Sequence, residues 1–205
     1  MIIETPIESL QEAISAEANG ATQLELCARL DIDGLTPSEK LISDVLSNVT
    51  IPVKIMIRPH ARSFIYSNED IKMMVQSIQF AKEIGAQGVV FGALNENKEL
   101  NIEQIKELTM ISLPLQVTIH KAIDETPDPI EATKQLAKVS GIHTILSSGG
   151  KPTAEEGLHV LRRMMQHSGS IQIMAAGKIT AKNMAEIHSK LGATAYHGRK
   201  ILGEL

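Results

Sequence analysis

Residues 84–91 read Ile84-Gly85-Ala86-Gln87-Gly88-Val89-Val90-Phe91, and this stretch contains the unit that decides the fold. Gly85 follows a run with helical spacing, and glycine commonly adopts the left-handed conformation that ends a helix. The apolar run Gly88–Phe91 comes directly after it, as is typical of a strand covered on both faces of a parallel sheet. The stretch therefore predicts a helix, a tight turn and a buried strand, in that order.

The same unit recurs along the chain. Gly20-Ala21 and Gly192-Ala193 repeat the glycine–alanine turn, and Gly141 stands before another strand. Strand-like runs begin near residues 2, 23, 53, 88, 115, 143, 171 and 194. Eight strands that alternate with helices predict an α/β fold, a (β/α)8 TIM barrel forming a single domain over residues 1–205. An open doubly wound sheet is the rival fold, but no Gly-x-Gly-x-x-Gly follows the first strand.

Polar caps mark the predicted helix starts. Three are expected to be capping boxes, and four are simpler caps. The boxes are Thr5–Glu8, Thr36–Glu39 and Thr153–Glu156, and the simpler caps are Asn68, Asn101, Asp128 and Thr180. Few residues follow His197, so the last helix is expected to be short or missing. We expect a second copy of the chain to cover the apolar surface left there, which would make the protein a homodimer.

The composition excludes several classes of protein. Hydrophobic residues make up 43% of the chain, charged residues 21%, and the net charge is −4, all ordinary for a globular domain. Basic residues form no stripe, and there are two Tyr, three Phe and no Trp, so nucleic acid is not an expected partner. No signal peptide or membrane-spanning run is recognisable. Because the single Cys27 cannot form an internal disulfide, we expect a cytoplasmic protein without a membrane partner.

Polar residues end several strands where a core strand should end in Val or Ile. They are Glu4, Glu25, Arg58, His120 and His197. In a barrel these positions meet at the carboxyl-terminal mouth, where active sites lie, so the five are candidate catalytic residues. An alternative is a structural ion-pair network in which Arg58 neutralises Glu4 and Glu25. Lys54 has the same strand parity as Arg58, so it should point into the bottom layer and reach solvent through its stem, unless the register differs.

Small residues follow the last three strands, in Ser147–Lys151, Ala175–Lys178 and His197–Lys200. Their backbone amides could approach an anion, and barrel phosphate sites commonly use the loops after strands seven and eight. Ser148, Gly149 and Gly177 are therefore candidate anion-binding residues, although such loops are also ordinary turns. His120 near a carboxylate could act as a general acid or base, and Asp124 is either a candidate partner for it or a loop residue.

Metal signals are sparse. Neither Cys-x-x-Cys nor His-Glu-x-x-His occurs. Cys27 is a soft ligand suited to Cu(I), but it could equally be a small buried hydrophobic residue. The nine Met residues supply further thioethers, but Met73-Met74 and Met164-Met165 lie at helical spacing, which favours the core.

The chain is similar to the CutC family, which is named for copper homeostasis, over nearly its whole length. The similarity lies in Leu24–Cys27, Gly34–Ser38, Ile51–Val53, Ile57–Pro59, Phe64-x-Tyr66-Ser67, Thr118–Asp124, Ser148-Gly149 and His197. The chain departs from the family at His60–Ser63, where the family usually has Arg-Gly-Gly-Asp.

The resemblance implies a cytoplasmic TIM barrel that handles copper, with Cu(I) bound through Cys27. The strand-end residues favour a different function, an enzyme that acts by acid–base chemistry on a small anionic, for example phosphorylated, substrate. In that case Arg58 and the Gly149 and Gly177 loops would hold the anion, and His120 would transfer a proton with Glu4 or Glu25. A third possibility is an interaction scaffold, which predicts no pocket. All three functions stay open at the level of the sequence.

Overall fold

Eight parallel strands close into one barrel in the computed structural model, which describes residues 1–205. The strands are β1 (Ile2–Ile7), β2 (Gln23–Leu26), β3 (Val53–Met56), β4 (Gly88–Phe91), β5 (Gln116–Ile119), β6 (Ile142–Ser147), β7 (Gln172–Ala175) and β8 (Ala195–His197). Each strand pairs with the next, and β8 pairs with β1 through Glu4 opposite His197. The barrel predicted from the repeated unit is confirmed.

Seven helices surround the barrel. They are α1 (Leu10–Ala18), α2 (Glu39–Leu46), α3 (Asn68–Glu83), α4 (Ile102–Ser112), α5 (Pro129–Leu136), α6 (Leu158–His167) and α7 (Met184–Leu191). Two short 3-10 helices, Leu30–Ile32 and Lys121–Glu125, follow β2 and β5. Turns, a bend and one isolated bridge at Lys200 follow β8, so the eighth helix is missing, as expected. No helix combines the length and the apolar character needed to cross a bilayer.

The core lies between the strands and the helices. It is one cluster of 46 buried apolar residues, to which every strand and helix contributes. Side chains such as Ile105, Leu108 and Leu161 are fully buried on the inner faces of the helices. Each such side chain stabilises the fold by roughly 1.5–3 kcal/mol through apolar burial. This shell keeps the strand ends in fixed relative positions.

The predicted helix ends are confirmed more fully than the helix starts. Gly20, Gly85, Gly141 and Gly192 have positive φ angles of 94°, 80°, 95° and 68°, as their left-handed turns require. Asn101 caps α4 and Asp128 caps α5, each by accepting a backbone amide.

Other predicted caps are wrong. Thr5 and Pro6 belong to β1, which continues beyond Glu4 to Ile7, and Ser9 caps α1 instead. The Thr36 hydroxyl accepts the amide of Arg58, which leaves the cap of α2 to Ser38.

Three further helices, α3, α6 and α7, begin one or a few residues away from the positions predicted from the sequence. Ser67 rather than Asn68 caps α3, in a capping box with Asp70. Thr153 accepts the amide of Glu156 over 3.2 Å, as its capping box predicts, but the turn that it begins comes before α6. Thr180 begins the turn before α7 and does not cap that helix directly.

Candidate active site at the barrel mouth

A cavity of about 620 Å³ opens at the carboxyl ends of the strands. Among its lining residues are Glu25, Arg58, His120, Ser148, Gly177 and His197, all candidates from the sequence. Glu4 is fully buried and hydrogen-bonded to His197. Gly149 and Cys27 do not line the cavity. The closed barrel thus brings most of the predicted polar strand ends to one place.

Glu4, His197 and Glu25 form a buried cluster. The His197 Nδ1 atom lies 2.8 Å from Glu4 Oε1, and its Nε2 atom lies 3.9 Å from Glu25 Oε2. Glu4 also accepts a hydrogen bond from Gln23. The strand register explains these contacts, because Glu4 in β1 lies opposite His197 on one side and Gln23 on the other. Glu25 Oε1 is buried without a hydrogen-bond partner.

Burial raises the pKa of Glu25 to about 7, although the charge of His197 opposes the shift. Burial also opposes ionisation of Glu4, yet the hydrogen bond and charge of His197 hold the pKa of Glu4 below its usual value. Burial lowers the pKa of His197, but the carboxylates of Glu25 and Glu4 outweigh it and raise that pKa overall. The cluster therefore holds a carboxylate–imidazolium pair beside a carboxyl group that titrates near neutrality.

Lys54 lies inside the barrel and does not reach solvent. Its side chain is 1% exposed, and Nζ donates a 2.8 Å hydrogen bond to Thr118 Oγ1. The expectation of a solvent-exposed amine is therefore wrong, because Thr118 on β5 supplies a partner two strands away. Burial lowers the pKa of Lys54, and the charges of Glu4 and Glu25 oppose that shift. Lys54 adds positive charge beside the two carboxylates.

Arg58 binds backbone carbonyl groups and forms no ion pair with Glu4 or Glu25. Its Nη1 atom donates to the carbonyl oxygens of Ile32, Asp33 and Gly34 over 3.0, 3.2 and 3.0 Å. The guanidinium carbon lies 4.7 Å from the centre of the Phe64 ring. The alternative in which Arg58 neutralises the two carboxylates is therefore wrong, and His197 and Lys54 fill that role.

His120 is a neutral hydrogen-bond donor in this site. The backbone amide of Ala122 donates to His120 Nδ1 over 3.2 Å, which leaves the ring proton on Nε2. Burial, with a smaller contribution from the charge of Arg58, lowers the pKa of His120 to about 3. The Nε2 atom is buried and has no partner within the protein. Asp124 is not bonded to His120, so that predicted pairing is wrong.

Asp124 instead holds the loop after β6. Its carboxylate accepts the amides of Ser148 and Gly150 over 2.9 and 2.8 Å, and the hydroxyl groups of Ser147 and Ser148 over 2.5 and 2.9 Å. The amide of Gly149 donates to Ser147 Oγ. The amides that the sequence offered to an external anion are therefore occupied within the protein, that of Ser148 by the Asp124 carboxylate and that of Gly149 by the Ser147 hydroxyl.

The loops after β7 and β8 retain free donors. The backbone amides of Gly177, Lys178 and Arg199 make no hydrogen bond within the protein. Gly177 and Lys178 both have positive φ angles, of 103° and 54°, a conformation found in backbone anion sites. The side chains of Lys151, Lys178 and Arg199 line the same cavity. The sequence motifs contained these cations, but no pattern in the chain showed which amides would stay free.

Cys27 is fully buried near the cavity. Its thiol donates to Glu25 Oε2 over 3.8 Å, and burial and the charge of Glu25 raise the pKa of the thiol. Cys27 packs with Met56 and Val90 in a small apolar cluster, and Met56 also lines the cavity. These two sulfur atoms are soft donors that suit Cu(I).

A second set of possible metal ligands consists of oxygen and nitrogen atoms, which are harder donors than sulfur. One ligand atom each from Glu4, Glu25 and His197 lies within 4.8 Å of the others, a spacing that could hold a metal ion. Two carboxylates and one imidazole suit Zn²⁺ or Mn²⁺ better than Cu(I).

The segment that departs from the family pattern packs against α3. His60 Nε2 lies 3.4 Å from Asp70 Oδ2, and Arg62 Nη2 lies 3.5 Å from Asp70 Oδ1. Asp70 belongs to the capping box of α3, so the side chains of His60 and Arg62 meet a helix N-terminus through its acidic residue. The His60–Ser63 segment is therefore tied to the wall of the barrel beside Arg58.

The closed barrel and its polar mouth define a TIM-barrel protein with a cavity at the carboxyl ends of its strands. The CutC family matches residues 1–202, and this chain belongs to that family. A human protein named copper homeostasis protein cutC homolog is 39% identical to it, over 96% of this chain and 72% of the relative. A CutC protein of Pasteurella multocida is 37% identical, over 96% of this chain and 81% of the relative.

Solved structures agree with this assignment. The putative copper homeostasis protein CutC from Streptococcus agalactiae superposes with a TM-score of 0.91 at 27% identity, over 98% of this chain and 99% of that one. A putative phosphonomutase from Burkholderia cenocepacia superposes with a TM-score of 0.70 at 12% identity, over 97% of this chain and 86% of that one. The second likeness shows a shared fold alone.

Proposed function

We propose that this protein takes part in copper homeostasis and that its barrel mouth binds a small anionic organic molecule on which it transfers a proton. The names of the relatives support the first part. The second part rests on the chemistry of the mouth, whose polar groups resemble an enzyme site more than a cage for Cu(I).

The observation that carries the proposal is Glu25, a buried carboxyl group that opens on the cavity and has a pKa of about 7. A general base works best when its pKa lies near the working pH. The neighbouring Glu4–His197 pair lies against Glu25, with His197 Nε2 3.9 Å from Glu25 Oε2, so its charges act on the protonation of Glu25. Proton transfer to or from a bound ligand is the reaction that such a group supports.

The free amides of Gly177, Lys178 and Arg199 support an anionic ligand. Unpaired amides and nearby cations bind phosphate or carboxylate through charge-assisted hydrogen bonds. Arg199 is held by Glu8, with Nη2 and Oε1 3.2 Å apart, so its guanidinium is positioned at the rim. A phosphorylated small molecule fits this combination.

Calorimetric titration with 2-phosphoglycolate tests the anion site. Each of the variants Lys178→Gln and Arg199→Gln is expected to weaken binding by roughly tenfold, about 1.4 kcal/mol. Lys40→Gln is the matched control, because Lys40 is exposed on α2 and pairs only with Asp44. Failure of 2-phosphoglycolate to bind, or an equal loss in the Lys40 variant, would contradict the proposal.

Direct binding of Cu(I) is the second candidate function, and the packing of Cys27 with Met56 favours it. In this candidate the thiolate of Cys27 and the thioether of Met56 hold the ion next to the cavity. The cost is deprotonation of a thiol whose pKa burial has raised. A bound cation would compensate this cost, since thiolate is the form that binds metal.

A Cu(I) competition titration tests this candidate. Cys27→Ser and Met56→Leu are both expected to lower the affinity, whereas Met73→Leu should not, because Met73 is exposed on α3. Equal affinity in the wild type and the Cys27→Ser variant, or no binding in either, would exclude the Cys27 site.

The proposal also places the protein in the cytoplasm. Its one cysteine is free and buried, which suits a reducing compartment. Cell fractionation followed by immunoblotting should recover the protein with cytoplasmic markers, and recovery with a periplasmic or extracellular fraction would contradict this assignment.

A further inference from the structure

His120 lines the mouth cavity and has an unused hydrogen-bond donor. The amide of Ala122 occupies Nδ1, so the proton lies on Nε2, and that atom is buried without a protein partner. A buried donor left unpaired costs free energy, and native proteins rarely keep one without a reason. His120 also lines the mouth cavity, so a ligand atom can supply the missing acceptor.

The imidazole is held in one position. Its ring packs against Phe64 at 4.8 Å between ring centres. A Cβ atom at position 92 would lie 2.8 Å from two atoms of the ring, so glycine there makes room for it. The same Phe64 ring supports the guanidinium of Arg58, whose Nε atom is likewise buried without a partner. Two orphaned donors thus flank one aromatic ring in the wall of the cavity.

The cavity contains a base as well as these donors. Glu25 lines it, and Glu25 Oε1 makes no hydrogen bond within the protein. A fixed neutral donor combined with a buried carboxylate is the arrangement that removes a proton next to a carbonyl group. A neutral imidazole serves as the electrophile there because it donates a hydrogen bond without becoming a competing acid.

Building on the proposed function, we propose that the substrate is an anionic carbonyl compound, which the protein converts to its enolate. The His120 Nε2–H group, aided by Arg58, donates to the carbonyl oxygen, and the Glu25 carboxylate removes the proton from the adjacent carbon. His120 is then an electrophilic catalytic residue, and the acid–base role expected from the sequence passes to Glu25.

The step balances without a further reagent. The proton on the α-carbon moves to a Glu25 oxygen, and the electron pair of the broken C–H bond forms a carbon–carbon double bond. The carbonyl π electrons move to oxygen, where the hydrogen bond from His120 stabilises the developing negative charge. Return of the proton to the same carbon regenerates the substrate, and return to a neighbouring position gives an isomer. No oxidation takes place.

Deuterium exchange at the α-carbon tests the proposal. The full-length protein is incubated in D₂O with dihydroxyacetone phosphate, glycolaldehyde phosphate or pyruvate, and loss of the α-proton signal is followed by ¹H NMR. The wild type is expected to exchange the proton of at least one compound above the rate without protein. His120→Ala should lower that rate by about 10²–10³-fold, the usual effect of removing one oxyanion donor.

Three variants complete the experiment. Glu25→Gln should reduce exchange to the background rate. His120→Gln keeps an N–H donor and should retain more activity than His120→Ala, which a purely structural role would not produce. His159→Gln is the control, because His159 is exposed on α6 and should leave the rate unchanged. The near-ultraviolet circular dichroism of each variant checks that it is folded.

Absence of exchange with all three compounds would overturn the inference, as would wild-type exchange in the folded His120→Ala variant. Binding of 2-phosphoglycolate separates this failure from that of the proposed function. If binding persists without exchange, only enolate formation is lost. If 2-phosphoglycolate does not bind either, the proposed anion site is contradicted together with enolate formation.

Discussion

Glu25 is buried beside Glu4 and His197, and this surrounding determines its protonation. Its pKa of about 7 exceeds the unperturbed value of 4.5, so the folded state holds a proton that the unfolded state releases between these values. Glu25 therefore contributes stability that is fully present below about pH 4.5 and lost as the pH rises through 7.

We predict that Glu25→Gln flattens the pH dependence of stability on the alkaline side. Between pH 5 and 8 the free energy of unfolding of the wild type should fall relative to the variant, by at most about 1.4 kcal/mol per pH unit. Urea unfolding of both proteins at the two pH values measures the difference. A constant difference would show that Glu25 ionises in its ordinary range.

His120 should behave in the opposite way. Its pKa of about 3 lies below the unperturbed value of 6.5, so its contribution to stability is present above pH 6.5 and is lost as the pH falls towards 3. We predict that acid destabilises the wild type more than His120→Gln between pH 6.5 and 4. Guanidinium unfolding of both proteins across this pH range measures the difference. If the free energies of unfolding of the two proteins change in parallel with pH, His120 ionises in its ordinary range.

The sequence located these residues but not their contacts. The positions of Glu25, Arg58, His120 and His197 at strand ends were enough to predict a common mouth. Arg58 was expected to meet carboxylates, yet it binds three carbonyl groups of the loop after β2, whose path no local pattern encodes. Gly92, which admits the His120 ring, has no signal in the sequence beyond being a glycine.

Among the secondary-structure elements, the 3-10 helix Lys121–Glu125 links the ends of β5 and β6. It carries Asp124, whose carboxylate binds two amides and two hydroxyl groups at the end of β6. This clamp shapes the wall of the cavity at Ser148 and Gly150. A nearly buried carboxylate with several charge-assisted hydrogen bonds should matter much more than an exposed one.

We predict that Asp124→Asn destabilises the protein by about 2–4 kcal/mol, because an amide cannot accept all four bonds and places an unpaired donor in the clamp. The matched change Asp31→Asn breaks only an exposed pair with Arg29 and should cost less than about 1 kcal/mol. Chemical unfolding of both variants measures the contrast. Equal effects would show that the clamp contributes nothing beyond a surface pair.

Strand positions were easier to predict than helix starts. Apolar runs and glycine turns located the first residue of all eight strands to within about one residue, because burial on both faces leaves a strong pattern. The end of β1 was not located, because Thr5 and Pro6 have the pattern of a helix start. Caps were confused where two polar residues lay close together, as with Thr36 and Ser38. The Thr36 hydroxyl accepts a hydrogen bond from the distant amide of Arg58, so the Ser38 hydroxyl is the one that caps α2.

At the scale of the whole molecule, seven helices cover eight strands. The residues after β8 partly fill the missing position, since Ile201 is buried against the core and Leu202 packs on it. Closure also produces contacts that no local pattern reveals, such as the bond between Lys54 on β3 and Thr118 on β5. The barrel could therefore be predicted from the repeated β/α unit. The hydrogen bonds inside it could not, because they depend on which strands come together when the barrel closes.

The homodimer expected from the missing helix stays a prediction. Exposed apolar side chains at Ile14 and Leu205 are the kind of surface that a second copy would cover. Sedimentation equilibrium at micromolar concentrations should give twice the mass of the chain, and a mass of one chain across that range would contradict it.

The proposed anion site can be observed in a crystal structure of the protein with 2-phosphoglycolate. We expect a phosphoryl group on the amides of Gly177 and Lys178 beside Arg199, and a carboxylate oxygen within hydrogen-bond distance of His120 Nε2. An empty mouth at saturating ligand, or an anion bound only on the outer surface, would mean that the barrel mouth is not a site for a small organic anion.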